Sequence, residues 1–259
     1  MMFYQQQAGR LHTLNPLTKL VLALALVVMA FASATWLAPA ALLALVIVPL
    51  ALWGGVTRSL LRYTALIALP TLGVIILFQT VLNGGASTLF VLGPLRATRE
   101  GLENGLLIGL RFTVMIAAFL LMLLSTHPGA LMDDLSRRGV PASVAYLVAS
   151  TLNLLPSMQA RTITLINAQR ARGLETEGSV LQRAKAVVPL VAPLLLSALG
   201  SADERAMALE SRAFRAGRKR TALVDVPDST GQHVLRITLM LAALVAVALR
   251  VVSLGLPPA

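Results

Sequence analysis

The sequence contains no cysteine and only three histidines, and each shortage excludes a kind of site. Without cysteine there is no disulfide framework and no thiolate metal site. The histidines, His12, His127 and His233, lie too far apart in sequence to form a metal-binding motif. A glycine-rich phosphate loop with its Lys-Ser/Thr pair is also missing, as are the His-Glu-x-x-His and Gly-x-Ser-x-Gly motifs. We therefore expect no catalytic residue, no ATP hydrolysis and no cofactor or metal bound by this chain.

Charged residues are scarce as well, at 13% of 259 residues, whereas hydrophobic residues make up 57%. The mean hydropathy of +0.79 is typical of a membrane protein and argues against a soluble domain. The net charge of +11 is better explained by cytoplasmic loops that face anionic lipid or acidic partners than by nucleic acid. No small-residue cleavage site follows the first apolar run, so we expect that run to remain as a membrane helix.

Five apolar runs are long enough to cross a hydrocarbon core of about 30 Å, which takes about 20 helical residues. Trp36 and Trp53 flank the second run, as expected for the two interfacial aromatic belts. The predicted fold class is all-α, a polytopic membrane protein with about five transmembrane helices and a cytoplasmic coupling region of amphipathic helices. The predicted spans are residues 17–34, 37–53, 63–82, 101–124 and 234–254.

The distribution of arginine and lysine predicts the orientation of the chain. The amino-terminal stretch carries Arg10 and Lys19, the next loop carries neither residue type, and residues 125–232 carry most of the remaining basic residues. By the positive-inside rule we expect the amino terminus and residues 125–232 to be cytoplasmic. We divide the chain into a membrane domain (1–124), a coupling region (125–232) and a carboxy-terminal transmembrane helix (233–259).

Short motifs predict where individual elements begin. Asn15 and Pro16 are suited to the cap and the first turn of the first helix, and Thr98 to the cap of the fourth. The β-branched and aromatic run broken by Gly93-Pro94 predicts a small hairpin.

Prolines are frequent in the coupling region, and they predict that it is broken into a set of amphipathic helices lying under the membrane. One is expected at residues 157–172, after Pro156, and another at about 190–213, with a stripe of small and apolar residues. Residues 187–199 are apolar enough to enter the bilayer, which leaves the number of spans open. The prolines expected to separate these helices are Pro128, Pro141, Pro156, Pro189 and Pro193.

Two helices of this region are predicted to end alike, each with an arginine. Gly173 is suited to the left-handed turn that ends a helix, so Arg172 lies at a helix end, and Arg212 follows forty residues later. Two such arginines are able to bind a carboxylate or a helix carboxy terminus of a partner by bidentate hydrogen bonds. Alternatively, each arginine only satisfies the last carbonyls of its own helix. The candidate residues are Ala171, Arg172, Gly173, Ser211, Arg212 and Ala213, with Gln169, Glu175 and Glu210 in possible support.

Two further groups of polar residues are candidate sites. Arg111 lies inside the fourth predicted span, where an ionisable residue is a functional candidate; the alternative is an arginine bonded to carbonyls of neighbouring helices. His127 precedes Asp133 and Asp134, and a solvated turn is favoured there over a metal or proton-relay site.

The chain resembles the membrane-embedded T component of energy-coupling-factor (ECF) transporters. "AQRARGLE" is similar to the Ala-Arg-Gly signature of that family, and "ALESRAF" to its second copy. "LHTLNPLTKL", "TREGLENGLLIGLRF" and "STHPGALMDDLSRRGVP" are similar to the family's other segments, in the same order. The resemblance implies two cytoplasmic coupling helices whose arginines are seated in grooves of two ATP-binding-cassette ATPases, which bind ATP and Mg. It also implies a separate small membrane capture protein that binds a vitamin or a transition-metal ion.

The two signatures match the family pattern to different degrees. Ala171, Arg172 and Gly173 match in full, whereas Ser211 and Ala213 replace the usual Ala and Gly around Arg212. We therefore expect the second helix to end less abruptly. The resemblance does not identify the substrate, because the capture protein recognises it.

Three other functions differ in the features they require. A self-contained secondary carrier or channel requires ionisable residues that converge at mid-membrane or an inverted repeat, and the spans offer mainly Arg111. A membrane-bound lipid enzyme requires a cluster of histidines or carboxylates. A conventional ATP-binding-cassette permease usually docks its ATPase through one short loop per subunit.

Overall fold

The computed structural model describes residues 11, 14–82, 87–92, 95–174, 179–214 and 228–255. Within these ranges the chain is helical apart from one two-stranded hairpin. The elements are α1 (Pro16–Ala32), α2 (Leu37–Leu42), a π-helical stretch (Leu43–Ile47), α3 (Val48–Gly54), α4 (Thr57–Leu82), β1 (Thr88–Leu92), β2 (Leu95–Thr98), α5 (Arg99–Ser125), α6 (Pro128–Arg137), α7 (Ala142–Ala171), α8 (Val180–Ser211) and α9 (Thr230–Gly255).

The chain forms two compact units. The first comprises Met1–Ala145 and Val226–Ala259, and the second comprises Tyr146–Asp225. The first unit therefore includes α6, which the sequence analysis assigned to the coupling region. The second unit consists of most of α7 and all of α8.

Five helices of the described part are long and apolar enough to cross a membrane, which confirms the predicted fold class. Four of them match predicted spans; α1, the remaining predicted span, is apolar but has only 17 residues. The fifth lies in α8, at Val187–Ser211. Its second half carries Asp203, Glu204 and Arg205, which are costly to place in hydrocarbon.

The predicted helix starts are confirmed. The side chain of Asn15 accepts a hydrogen bond from the backbone N–H of Leu17 at 2.9 Å, with Pro16 in the first turn of α1. Thr98 accepts in the same way from Gly101 at 3.2 Å, at the start of α5. The predicted hairpin is present as antiparallel β1 and β2, with Leu92 opposite Leu95; Gly93 and Pro94 lie outside the described residues.

The core of the first unit lies between α1, α3 and α5. Small side chains such as Ala30 and Ala117 are almost completely buried there and allow the helices to approach closely. Larger apolar side chains elsewhere, such as Leu66 and Leu77 of α4, remain exposed, as expected for a surface that faces lipid.

Glycines of α5 allow it to pack directly against the backbone of α4. Gly101, Gly105 and Gly109 recur at four-residue intervals and therefore lie on one face of α5. A methyl group at Gly101 would lie 2.5 Å from the carbonyl oxygen of Gln79, and one at Gly105 would lie 3.0 Å from the Cα of Ile76. The sequence analysis did not predict this small-residue stripe.

The prediction that prolines break the coupling region into separate helices is wrong at three positions. Pro156 lies inside the 30-residue α7, and Pro189 and Pro193 lie inside the 32-residue α8. The predicted starts at 157 and about 190 are therefore incorrect, because α7 begins at Ala142 and α8 at Val180. One proline removes a single backbone hydrogen bond, and in a long helix the remaining bonds keep the helix continuous.

Candidate functional site: two arginine-ended helices

Helix α7 ends in a tight left-handed turn immediately after Arg172. Gly173 has φ 88° and donates its N–H to the carbonyl of Arg170 at 2.9 Å. Leu174 donates to the carbonyl of Gln169 at 3.0 Å. This pair of hydrogen bonds is the Schellman motif, which satisfies the last carbonyls of the helix with backbone donors. The last carbonyls of α7 therefore do not require the side chain of Arg172, and the prediction for Gly173 is confirmed.

Helix α8 ends in the same way, although alanine replaces glycine. Ala213 has φ 55° and donates to the carbonyl of Glu210 at 2.9 Å, and Phe214 donates to the carbonyl of Leu209 at 3.0 Å. The expectation that this helix ends less abruptly is wrong. Left-handed backbone costs alanine about 1–2 kcal/mol, and the two hydrogen bonds together with the edge-to-face packing of Phe214 on Tyr146, 5.1 Å between ring centroids, offset that cost.

The two arginines are exposed and have no recorded partner among the described residues. The structure gives the guanidinium groups of Arg172 and Arg212 neither a hydrogen bond nor an ion pair within the described ranges. Their small neighbours, Ala171, Gly173, Ser211 and Ala213, are exposed too. Each helix end therefore presents a guanidinium group and accessible backbone to a partner.

The supporting residues contribute through the backbone. The carbonyl of Gln169 accepts hydrogen bonds from both Arg172 and Leu174, and that of Glu210 accepts from Ala213. Glu175 lies outside the described residues.

A third arginine lies at a helix end with the same backbone form, but its role is different. After α6, Gly139 has φ 110° and donates to Ser136 at 3.3 Å, while Val140 donates to Leu135 at 3.2 Å. Arg138 occupies the same position as Arg172 and Arg212, but its side chain is paired. The sequence analysis missed this third ending, although its Arg-Gly pair is visible in the sequence.

Two carboxylates bind Arg138. Its Nε lies 3.2 Å from Oδ2 of Asp134, and its Nη2 lies 2.5 Å from Oδ2 of Asp228. Burial lowers the pKa of Arg138, but the hydrogen bonds to Asp228 and Asp134 outweigh burial and raise it. Asp228 also accepts from Nη2 of Arg236, the largest cause of its lowered pKa. Arg138 therefore joins α6 to the start of α9 within the first unit.

The expectation of a solvated turn around Asp134 is wrong. Asp134 is buried, and its Oδ1 accepts a hydrogen bond from Nδ2 of Asn15 at 3.2 Å in addition to its bond with Arg138. His127 is the cap of α6, and its Nδ1 accepts from the N–H of Gly129 at 3.1 Å. Among the described residues no three His, Asp or Glu side chains are grouped as metal ligands would be.

Arg111 binds a neighbouring helix end. Its Nη2 donates to the carbonyl of Ser33, the residue that follows α1, at 2.6 Å, and its guanidinium carbon lies 5.9 Å from the ring centroid of Phe31. A cation at a helix carboxy terminus interacts favourably with the helix dipole. These contacts match the structural alternative given for this arginine.

Comparison with known protein families gives a match over most of the chain. A model of the cobalt transport protein family, CbiQ, matches residues 7–223. This range includes both arginine-ended helices.

The individual relatives are described alike, as transmembrane proteins of energy-coupling factor transporters. The chain is 34% identical over 225 residues to the energy-coupling factor transporter transmembrane protein EcfT of Thermosediminibacter oceani, which covers 82% of this chain and 83% of the relative. It is 30% identical over 225 residues to EcfT of Lactococcus lactis subsp. cremoris, covering 82% of each chain. With EcfT of Heliobacterium modesticaldum the identity is 38% over 152 residues, 55% of this chain and 57% of the relative.

Proposed function

Because the chain belongs to the cobalt transport protein family and is the transmembrane component of an energy-coupling-factor transporter, we propose that Arg172 and Arg212 dock two ATP-binding-cassette ATPases. The two helices α7 and α8 then transmit ATP-driven motion to a substrate-capture membrane protein. The cargo is a vitamin or a transition-metal ion, which the capture protein recognises. ATP and Mg bind to the ATPases, and this chain supplies neither catalysis nor a cofactor site.

One observation carries the proposal: three arginines lie at the same position of the same helix-ending turn, and they differ in their partners. Arg138 is bound by two carboxylates of its own chain, whereas Arg172 and Arg212 have no recorded partner in the described part. Backbone donors already satisfy the carbonyls of Gln169 and Arg170 in α7 and those of Leu209 and Glu210 in α8. A role as a simple helix cap is therefore filled without either guanidinium group, which favours a partner outside the chain.

The chemistry of the site favours an acidic or carbonyl-lined groove. A guanidinium group offers five donors in a planar fork, which suits a carboxylate or the last carbonyls of a helix. Glycine and alanine beside the arginine leave space for a partner backbone to approach. Two such ends match two ATPase subunits, one for each arginine.

Membrane placement follows from charge and hydropathy. The apolar helices of the first unit are placed in the inner membrane, and the ends of α7 and α8 on the cytoplasmic side, where ATP is available. The amino terminus is placed on the same side. The charged second half of α8 is consistent with a helix that leaves the hydrocarbon before Arg212.

A pull-down from detergent-solubilised membranes tests this function. The tagged chain is co-expressed with the candidate ATPases of its host, as wild type and as the Arg172→Ala, Arg212→Ala pair. We expect wild type to retain ATPase and the pair to lose it, since each desolvated charged contact is worth about 2 kcal/mol or more. The single variants, Arg172→Ala and Arg212→Ala, report whether the two sites contribute equally.

Arg205→Ala is the matched control. Arg205 is exposed on α8, seven residues before Arg212, and it has no recorded hydrogen bond within the described ranges. Its removal changes the net charge as either single variant does, and ATPase retention should stay at the wild-type level. Equal retention by wild type and the double variant, with unchanged membrane levels, would contradict the docking role.

A further inference from the structure

Arg161 of α7 joins that helix to α8 inside the second unit. Its Nη1 lies 2.7 Å from Oγ of Ser197, 2.7 Å from Oγ of Ser201 and 3.3 Å from the carbonyl oxygen of Ser197. The two serines are one helical turn apart on α8, so they present both hydroxyls on the same face. One guanidinium nitrogen therefore holds two successive turns of α8.

The position of this contact relative to the docking arginines is the same on both helices. Arg172 follows Arg161 by eleven residues, and Arg212 follows Ser201 by eleven residues. At about 1.5 Å per residue, each arginine lies about 16 Å along its helix from the contact. The two helical segments beyond the contact therefore have equal length when that of α8 is measured from Ser201, the nearer serine.

Prolines lie only on the other side of the contact in these two helices. Pro156 precedes Arg161 in α7, and Pro189 and Pro193 precede Ser197 in α8. A proline weakens a helix locally, because it removes one backbone hydrogen bond. Residues 161–171 and 201–211 contain no proline and no glycine, so these segments are the stiff parts of α7 and α8.

We propose that Arg161, through Ser197 and Ser201, is a positioning residue that sets the distance between the docking arginines Arg172 and Arg212. This inference rests on the proposed docking function and adds to it a means of moving both arginines together. With the contact in place, a displacement of either arginine by an ATPase is passed through a stiff segment to the contact and then to the other helix. Without the contact, α7 beyond Pro156 bends independently of α8, whose end remains packed on the start of α7 through Phe214 and Tyr146.

Spin labels on the full chain measure this distance directly. The sequence has no cysteine, so two introduced cysteines give unique labelling sites. Ala168→Cys and Ala208→Cys are suitable, because each alanine is exposed and lies four residues before its docking arginine. The labelled chain is reconstituted in lipid nanodiscs, first alone and then with the ATPases and a non-hydrolysable ATP analogue with Mg.

In the chain with Arg161 we expect a single narrow distance peak between the labels, which shifts as one peak when the ATPases and the analogue are added. In Arg161→Ala we expect that narrow peak to be lost and replaced by a broad distribution. Arg161→Lys keeps a donor near both hydroxyls and should recover part of the narrow peak, which distinguishes positioning from a general loss of packing. Arg205→Ala should leave the peak unchanged.

A second variant covers the case in which Arg161→Ala does not fold. The Ser197→Ala, Ser201→Ala pair removes both hydroxyl acceptors while the arginine remains, and it should broaden the distribution in the same way. An unchanged narrow peak in the folded serine pair or in folded Arg161→Ala overturns the inference. The distance distribution of the chain without ATPases is sufficient to test the positioning role of Arg161. Failure of the docking function is observed in a different experiment, as an absence of ATPase binding to wild type.

Discussion

Arg138 and Asp228, ninety residues apart in sequence, form a direct ion pair with 2.5 Å between Nη2 and Oδ2. The same carboxylate binds Arg236 through its other oxygen. Asp228 therefore connects the end of α6 to α9, and it keeps Arg138 from the external role proposed for Arg172 and Arg212.

Replacement of Asp228 by asparagine should destabilise the first unit. The side chain of Arg236 is only 5% exposed, and it loses its carboxylate partner in Asp228→Asn. A buried donor left without a good acceptor costs about 1–3 kcal/mol. Thermal unfolding in detergent, followed by the fluorescence of the two tryptophans, should show a lower midpoint for the variant.

Glu103→Gln is the control for Asp228→Asn. It removes the Arg99–Glu103 pair, whose side chains are 71% and 54% exposed, and an exposed pair contributes little. Its unfolding midpoint should match wild type. If Asp228→Asn and Glu103→Gln gave the same midpoint, the connecting role of Asp228 would be wrong.

The contribution of Asp228 should depend on pH in a defined direction. The hydrogen bond from Arg236 lowers the pKa of Asp228; burial opposes this, and the bond from Arg138 reinforces it. A carboxylate with a lowered folded-state pKa stabilises the fold above its unfolded pKa of about 3.9, and that stabilisation is lost as the pH falls toward the folded-state pKa.

The midpoint difference between wild type and Asp228→Asn is the measurement. In a His233→Gln background we expect it to be constant between about pH 5 and 7 and to shrink below about pH 4, where the carboxylate of the unfolded chain begins to bind a proton. The Nε2 of His233 lies 3.4 Å from Oδ2 of Asp228, so His233 adds a cation beside this carboxylate when it is protonated. His233→Gln separates that contribution, and a difference independent of pH down to about 3 would contradict the assignment.

The substitutions Gly173→Ala and Ala213→Gly should have opposite effects on the stability of their helix ends. Gly173 has φ 88°, and a methyl group added there would meet no atom within 4 Å, so Gly173→Ala adds only backbone strain. That strain is about 1 kcal/mol. Ala213→Gly removes the corresponding strain at φ 55°. Hydrogen–deuterium exchange of the terminal amides should be faster after Gly173→Ala and slower after Ala213→Gly.

The Gly173→Ala and Ala213→Gly variants also test the docking proposal. Arg172 and Arg212 are retained in both variants, so ATPase binding should change far less than in the arginine variants. A complete loss of binding in Gly173→Ala would show that the backbone turn, rather than the guanidinium group, determines docking.

Gly101→Ala should disturb the packing of α5 on α4. The added methyl would lie 2.5 Å from the carbonyl oxygen of Gln79, so the two backbones must move apart. Overpacking of this kind costs about 1–3 kcal/mol. The unfolding midpoint in detergent should fall.

Gly73→Ala is the matched control for Gly101→Ala. Gly73 lies in α4, and no atom lies within 4 Å of the position of its added methyl. The variant should be as stable as wild type or slightly more stable, because alanine favours the helix. An equal fall of the midpoint in both variants would contradict the direct packing of α5 on α4.

The membrane class and the helix starts could be predicted because they depend on local properties. Hydropathy over about 20 residues identifies a span, and a cap such as Asn15 acts on the next few backbone groups. Gly173 was predicted correctly for the same reason, since glycine alone adopts a left-handed turn without strain. Local rules gave a wrong prediction at Pro156, because the other backbone hydrogen bonds of α7 keep the helix continuous through this proline.

The sequence by itself determined the apolar helices, their caps and the arginine at the end of α7, because each of these follows from residues within one or two turns. Only the tertiary structure decided which arginine has a partner within the chain. Arg138 is bound by Asp228 and Arg161 by Ser197 and Ser201, whereas Arg172 and Arg212 are left exposed. Ion pairs and hydrogen bonds between distant segments depend on how helices are packed, and no local pattern of residues specifies that packing.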